Sequence, residues 1–299
     1  MRFVHVTAPE LRPYVASLRA LEASIQYPIA DGADSFTIDH GPDYHPFFSR
    51  LGEAHFLLAL EGDEVVGSIA AVLRNVSVGD RAIASIYLCD LKLAAALRGR
   101  GVARRMLRRG LIEIAKHPRG RRARLIYGAA MVGAQGDVMR SARGANPLRL
   151  AGPIAALRLY FVAPERLAML EGAGPIWPGG ERLAASEAAG QLDDMVETTG
   201  AKDLRLRSSG AAWPLVHLTR APWHTEPSWG EWLRGCGERL AGRAAGTLAC
   251  FALDQRLVEH HAWLARAGID PGARCILHGL AATRVVRSTR VAHLATSEI

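Results

Sequence analysis

The chain has 299 residues, 49% of them apolar and 22% charged, and carries a formal net charge of +8 with a mean hydropathy of +0.06. This composition excludes a largely disordered chain, and no apolar stretch approaches the ~18–20 residues of a membrane span. Four cysteines (Cys89, Cys236, Cys250, Cys275) with no C-x-x-C pair exclude a disulfide framework. The C-x-x-H of Cys275 and His278, near His260 and His261, lacks a second ligand pair at motif spacing, so no metal is expected. No secretory leader is read at the N-terminus, which makes the cytoplasm the expected compartment.

The charge is unevenly placed. Residues 1–165 hold 22 Lys and Arg against 15 Asp and Glu, whereas residues 166–299 hold 15 against 14. Lys92–Arg124 alone has 12 basic residues and one acid, Glu113. Such a segment suits an anion: a cofactor phosphate, an acidic protein or nucleic acid. It has no interleaved aromatics for base stacking, so nucleic acid is not an expected partner.

In chain order, residues 8–22 have helical spacing through Leu11, Val15, Leu18 and Leu21. Residues 26–48 are polar and punctuated by Pro and Gly, and are expected to be irregular. Two β-like runs, 55–60 and 65–73, flank the hairpin signal Glu61-Gly62-Asp63-Glu64. A strand at 83–93 runs through Arg98-Gly99-Arg100-Gly101 into a helix at 102–116. Its apolar stripe includes Val102, Met106 and Ile114, with Arg104, Arg105, Arg108 and Arg109 on the other face. Strands follow at 124–132 and 154–162. Residues 172–180 read as part of a linker.

All six tryptophans lie beyond residue 165, Trp177 within that stretch and the other five after it. Helices are expected at 186–198, 229–241 and 258–267, and strands at 215–219, 247–253 and 274–281. The last ~15 residues read as a loose or edge segment. The expected organisation is a first α/β domain at 1–165, a linker at 166–180 and a smaller α/β domain at 181–299.

The glycine turn carries the chemistry. Gly99 and Gly101 reach backbone angles closed to other residues, and the first N–H groups of the following helix lack intrahelical partners and attract anions. A dinucleotide fingerprint would need a third glycine where Arg104 stands. No phosphate-loop or nucleophile-elbow motif is present.

Leu91-x-Leu93-x-x-x-x-Arg98-x-x-Gly101-x-Ala103 resembles the acyl-CoA signature of the GNAT superfamily of N-acetyltransferases. The resemblance covers about residues 3–165 and implies a twisted mixed sheet with flanking helices. It further implies acetyl-CoA or another acyl-CoA as co-substrate. Its pyrophosphate would be held at Arg98, Gly99, Arg100, Gly101, Val102 and Ala103, and its thioester would face Leu91 and Leu93. The acyl group would pass directly to an amine.

An alkyl amine must lose its proton before it attacks. Asp90 is the candidate base or amine anchor, in a Tyr87-Leu-Cys-Asp90-Leu91 run similar to that of aminoglycoside-type members. Tyr127 is a candidate acid for the leaving thiolate. The family's usual tyrosine after the fifth strand is missing from residues 135–147, and the arginines there (Arg140, Arg143, with Arg149) suit either an acidic substrate or a solvated loop. Residues 27–48, with Asp31, Asp34, Asp39, Asp43, His40, His45, Phe36, Tyr44, Phe47 and Phe48, lie where the family builds its acceptor site, and read either as a site for a cationic amine or, the preferred reading, as an acidic surface loop balancing the basic segment.

Three further readings stay open at this point. One is an acyl carrier protein as donor in an N-acyl amino acid-type synthase. Another is a non-catalytic acyl-CoA sensor whose second half is a degenerate GNAT-like domain. A homodimer is also open, with the tryptophans as one candidate face.

Overall fold

The computed structural model describes residues 1–29, 34–133, 136–137, 151–186, 194–225, 228–281 and 289–299. Its first strand, β1 (Arg2–Thr7), runs antiparallel to β4 (Glu53–Glu61), which forms the expected hairpin with β5 (Glu64–Val78). β6 (Arg81–Leu93) completes the antiparallel set. Helix α3 (Val102–Lys116) then crosses to β7 (Leu125–Gly133), which returns parallel to β6. α3 has the bounds that the apolar spacing predicts. It buries Val102, Met106, Leu107 and Ile114, and the first three pack with Leu57 and Ile69 of the sheet. Its four paired arginines stay exposed.

Several elements differ from expectation. The N-terminal helical run is a 3-10 turn, Pro9–Tyr14, followed by α1 (Val15–Ala23), because Pro13 cannot donate an interior helical hydrogen bond. Residues 26–48 are not irregular throughout. They contain β2 (Tyr27–Ile29) and β3 (Asp34–Asp39), and α2 (Pro46–Leu51) follows at His45. With the strand Asp203–Leu206, β2 and β3 form a separate three-stranded sheet.

The other strands are β8 (Gly136–Asp137), β9 (Gly152–Val162), β10 (Arg182–Ala184), β11 (Met195–Glu197), β12 (the Asp203–Leu206 strand), β13 (Leu215–Leu218), β14 (Leu248–Asp254), β15 (Ala273–Ala281) and β16 (Val291–His293). Helices α4 (Pro118–Arg122), α5 (Pro164–Ala168), α6 (Trp229–Leu240) and α7 (Val258–Arg266) flank them. Of the helix expected at 186–198, residues 187–193 lie outside the described residues, and 195–197 are strand β11.

Among the described residues the large sheet has 13 strands, with the central order β6-β7-β15-β9-β14-β13. Its pairings read the same from either end: parallel, three antiparallel, parallel. α3 bridges β6 and β7, and α6 bridges β13 and β14. Each half therefore lends one strand to the other, β9 beside β14 and β15 beside β7. This is a mixed α/β architecture with two similar halves interlocked through one sheet. The second half has its own apolar core, where Trp229, Trp232 and Leu233 pack with Phe251 and with the partly buried Trp177, Trp223 and Trp263.

The last residues are not loose. Val291–Glu298 are all buried, and β16 pairs with β10. The sequence Val-Ala-His-Leu-Ala-Thr-Ser-Glu has neither helical nor alternating periodicity, because it is enclosed on every side.

Candidate active site

β6 and β7 pair in parallel at Ser85–Leu125, Ile86–Ile126 and Tyr87–Tyr127. Beyond that point they run on to Leu93 and Gly133 without pairing to each other, so a V opens between them. At its throat, any side chain at position 128 would meet the Leu88 carbonyl oxygen at 2.8 Å, which is why glycine stands there. One step further, Cys89 faces Ala70 and Lys92 faces Ser68, so Asp90 and Leu91 together oppose the single Ile69. This is a β-bulge, and Asp90 takes a left-handed φ of 55° to make it. Leu91 is left exposed at the mouth of the V.

The turn that follows is Ala95–Leu97 in 3-10 form and then Gly99 and Gly101, with φ of 77° and 72°. Gly101 is the N-cap of α3, and no side chain caps that end. The N–H groups of Val102 and Ala103, two of the first-turn orphans, face outward with the positive end of the helix dipole. A Cβ on Gly99 would meet nothing within 4 Å, so a ligand can approach the backbone here. Arg98, Arg100, Arg104 and Arg105 are exposed around it. The structure thus brings Leu91, Leu93 and residues 98–103 to one edge of the V.

Asp90 does not face open solvent. The bulge turns it onto the face covered by α1 and α2, where Lys92 (1% exposed) contacts its carboxylate and lies 2.7 Å from Glu22 Oε1. Tyr44 donates to Asp90 at 2.6 Å, and Glu22 pairs with His40 Nδ1 at 2.6 Å. Burial opposes the Asp90 charge, but Lys92 and His40 outweigh it and hold the carboxyl below its ordinary value. Burial likewise opposes the Lys92 charge, and Asp90, Tyr44 and Glu22 raise it well above the usual ammonium value. Glu22, His40 and Asp90 resemble a metal set, yet the Lys92 ammonium stands where a cation would go. Tyr44 and Phe48 stack over this cluster, with the His40 ring tilted against both. Asp34 and Asp39 face elsewhere, to Ser208 and to Arg205 and Arg19. Asp31, Arg140, Arg143 and Arg149 lie outside the described residues.

Tyr127 is fully enclosed at the closed end of the V. Its hydroxyl donates to the Ala185 carbonyl at 3.1 Å and accepts from Arg74 Nε at 2.7 Å. Burial pushes its pKa well above the usual phenol value. Arg74 also reaches Glu298 at 2.5 Å, and Tyr87 donates to the Glu298 carbonyl. Lys202, from the second half, donates to the carbonyl oxygens of Ser297 (3.2 Å) and Ile299 (2.7 Å), and burial pushes its ammonium down to about 8. Glu298, Arg74 and Lys202 had no local signal, since each is identified only by a partner far away in the chain.

The mirror-image V between β13 and β14 is not equivalent. The tail crosses it: Thr296 Oγ1 donates to the Cys250 carbonyl at 3.2 Å, and His293 bonds the Thr219 carbonyl at 2.9 Å. The helix beyond it, α6, is capped by Ser228 and has Glu231 in its first turn, which disfavours an anion. Cys275 is core, His260 packs against Trp177 at 3.9 Å between ring centroids, and His261 bonds Tyr160 at 2.6 Å.

The family model of the acetyltransferase (GNAT) domain matches residues 23–132, which span the bulge, the glycine turn and α3. A tandem GNAT protein from the clavulanic acid biosynthesis pathway, solved without AcCoA, is similar in fold over 94% of this chain and 98% of its own, with a TM-score of 0.53 and 14% identity. Saccharomyces cerevisiae N-myristoyltransferase with bound myristoyl-CoA is similar over 94% of this chain and 79% of its own, with a TM-score of 0.51 and 11% identity. At these identities the likeness is one of fold, and it extends past the matched residues into the second half. No curated protein matches the chain. Among the described residues, no helix is long and apolar enough to cross a membrane.

Proposed function

We propose that the protein moves an acyl group from acyl-CoA to an amine, with the V between β6 and β7 as the active site. The observation that carries this reading is the bulge at Asp90–Leu91 set directly before an uncapped, glycine-led helix N-terminus. A pantetheine arm would lie along the splayed strands between them. The pyrophosphate would rest on the N–H groups at residues 98–103, held by the helix dipole and the surrounding arginines. The thioester carbonyl would lie against the backbone of Leu91–Leu93, where an N–H stabilises the oxyanion as the tetrahedral intermediate forms.

In that reaction the neutral amine nitrogen attacks the carbonyl carbon. The C–S bond then breaks, and the proton that the nitrogen sheds is the one the leaving thiolate takes up, so that the products are the amide and the free thiol. Asp90 is assigned as amine anchor: Lys92 keeps its carboxylate ionised, which makes it a weak base. The proton of Tyr127 is already committed to Ala185, so that residue shapes the closed end of the V rather than acting as the acid.

A thiol-release assay with acetyl-CoA and longer acyl-CoAs against a panel of amines tests this. Asp90→Asn is expected to lower turnover by about 10²–10⁴-fold with acyl-CoA affinity within a few-fold of wild type. Equal turnover in the two proteins would remove Asp90 from the site. Thiol release from neither, with every donor and amine, would leave a binding protein rather than an enzyme.

A further inference from the structure

A second cluster of ionisable groups lies at the other end of α3, away from the V. Glu53 and His55 project from the same face of β4, two residues apart. His117, at the junction of α3 and α4, meets them: His117 Nε2 is 3.0 Å and His55 Nε2 3.3 Å from the same oxygen, Glu53 Oε1. The three ligand atoms all lie within 4.8 Å of one another. In tetrahedral zinc coordination, bond lengths of about 2.0–2.2 Å put neighbouring ligand atoms roughly 3.3 Å apart.

Two further features point inward. His55 is 4% exposed, and its Nε2 is aimed at this centre, where its approach to Glu53 Oε1 at 3.3 Å lacks hydrogen-bond geometry. Its other nitrogen, Nδ1, sits 3.2 Å from His5 Nε2. If Nδ1 donates to His5, the Nε2 lone pair is free, and a metal-ligating imidazole is usually fixed in this way by a neighbour. Arg119 is on the opposite carboxylate oxygen, Glu53 Oε2, at 3.3 Å, which leaves Oε1 to the two imidazoles.

We propose that Glu53, His55 and His117 form a zinc site, with His5 as the supporting partner and a water as fourth ligand. Two imidazoles and one carboxylate favour zinc over the oxygen-loving Mg²⁺ and Ca²⁺. Bound there, the ion pins the α3–α4 junction to β4. It thereby fixes the helix whose opposite end forms the glycine turn.

The test is a competition for Zn²⁺ between the full-length protein and a chromophoric chelator. The wild type is expected to take up one ion per chain. Glu53→Gln and His117→Ala, both at positions about one-third exposed, are each expected to bind at least ~10-fold more weakly, while His45→Ala, away from the cluster, binds as wild type. Loading with Co²⁺ supplies an independent readout: a visible spectrum without a thiolate charge-transfer band, since no cysteine takes part. Failure of the wild type to draw zinc from the chelator would overturn the proposal. So would wild-type affinity in both Glu53→Gln and His117→Ala, or a thiolate band in the Co²⁺ form.

Discussion

Lys92→Met is expected to destabilise the protein by about 3–5 kcal/mol, because it strands two carboxylates rather than one. Lys92 contacts Asp90 and Glu22 at once, and its side chain and Glu22's are 1% and 3% exposed. Methionine fills nearly the same volume, so packing is kept and the loss reports on charge. Denaturant unfolding measures it, and a change under ~1 kcal/mol would show that the cluster is wet or already neutral. The pH dependence has a fixed sign. The Asp90 carboxyl lies below its ordinary value of 3.8. Its stabilising share is thus complete above about pH 4–5 and is lost as pH falls through the lower folded-state value.

Glu298→Ala is expected to be nearly as costly, again about 3–5 kcal/mol, by leaving the Arg74 guanidinium buried without its counter-ion. Burial disfavours that charge, but Glu298 and Tyr127 outweigh it and lift Arg74 above the usual guanidinium value. The guanidinium also lies over the Tyr87 and Tyr127 rings, 4.8 Å and 5.5 Å from their centroids. The double variant Arg74→Met/Glu298→Met removes both charges and should recover a large part of the loss. A double variant as unstable as the sum of the two single ones would mean that the two residues do not act as a pair.

These two clusters mark the limit of what the sequence carries. The strand–turn–helix from Ile83 to Lys116 was legible because its information is local: an apolar run, two glycines, then a 3.6-residue stripe. The signature positions Leu91, Arg98, Gly101 and Ala103 fell on the bulge and the turn for the same reason. β2 and β3 were hidden by Pro28 and by the acids that flank them, and β3, which carries β2, is held by pairing with Asp203–Leu206, more than 160 residues away. The buried tail was illegible on similar grounds. Glu298 looks like a terminal surface charge until Arg74, from the opposite half, is placed beside it. Asp90 was singled out by its position before Leu91. That it would turn inward onto Lys92, rather than toward solvent, depends on a bulge that has no signature of its own.

The central claim is that acyl-CoA binds at the glycine-led end of α3, once per chain. Thermal unfolding of the wild type and of Gly101→Glu, each with and without acetyl-CoA, tests it most directly. At ~100 times Kd, the ligand supplies about 2.7 kcal/mol. For 299 residues, at ~2.1 cal/mol/K of unfolding entropy each, that is a rise of about 4 °C in Tm. Glutamate at position 101 puts a negative charge on the pyrophosphate's resting place and a side chain on a backbone of φ 72°. The account predicts a shift in the wild type, with one ligand bound per chain by calorimetric titration, and none in a folded Gly101→Glu. A wild type indifferent to acetyl-CoA, longer acyl-CoAs and free CoA would contradict it, as would a shift that survives the substitution.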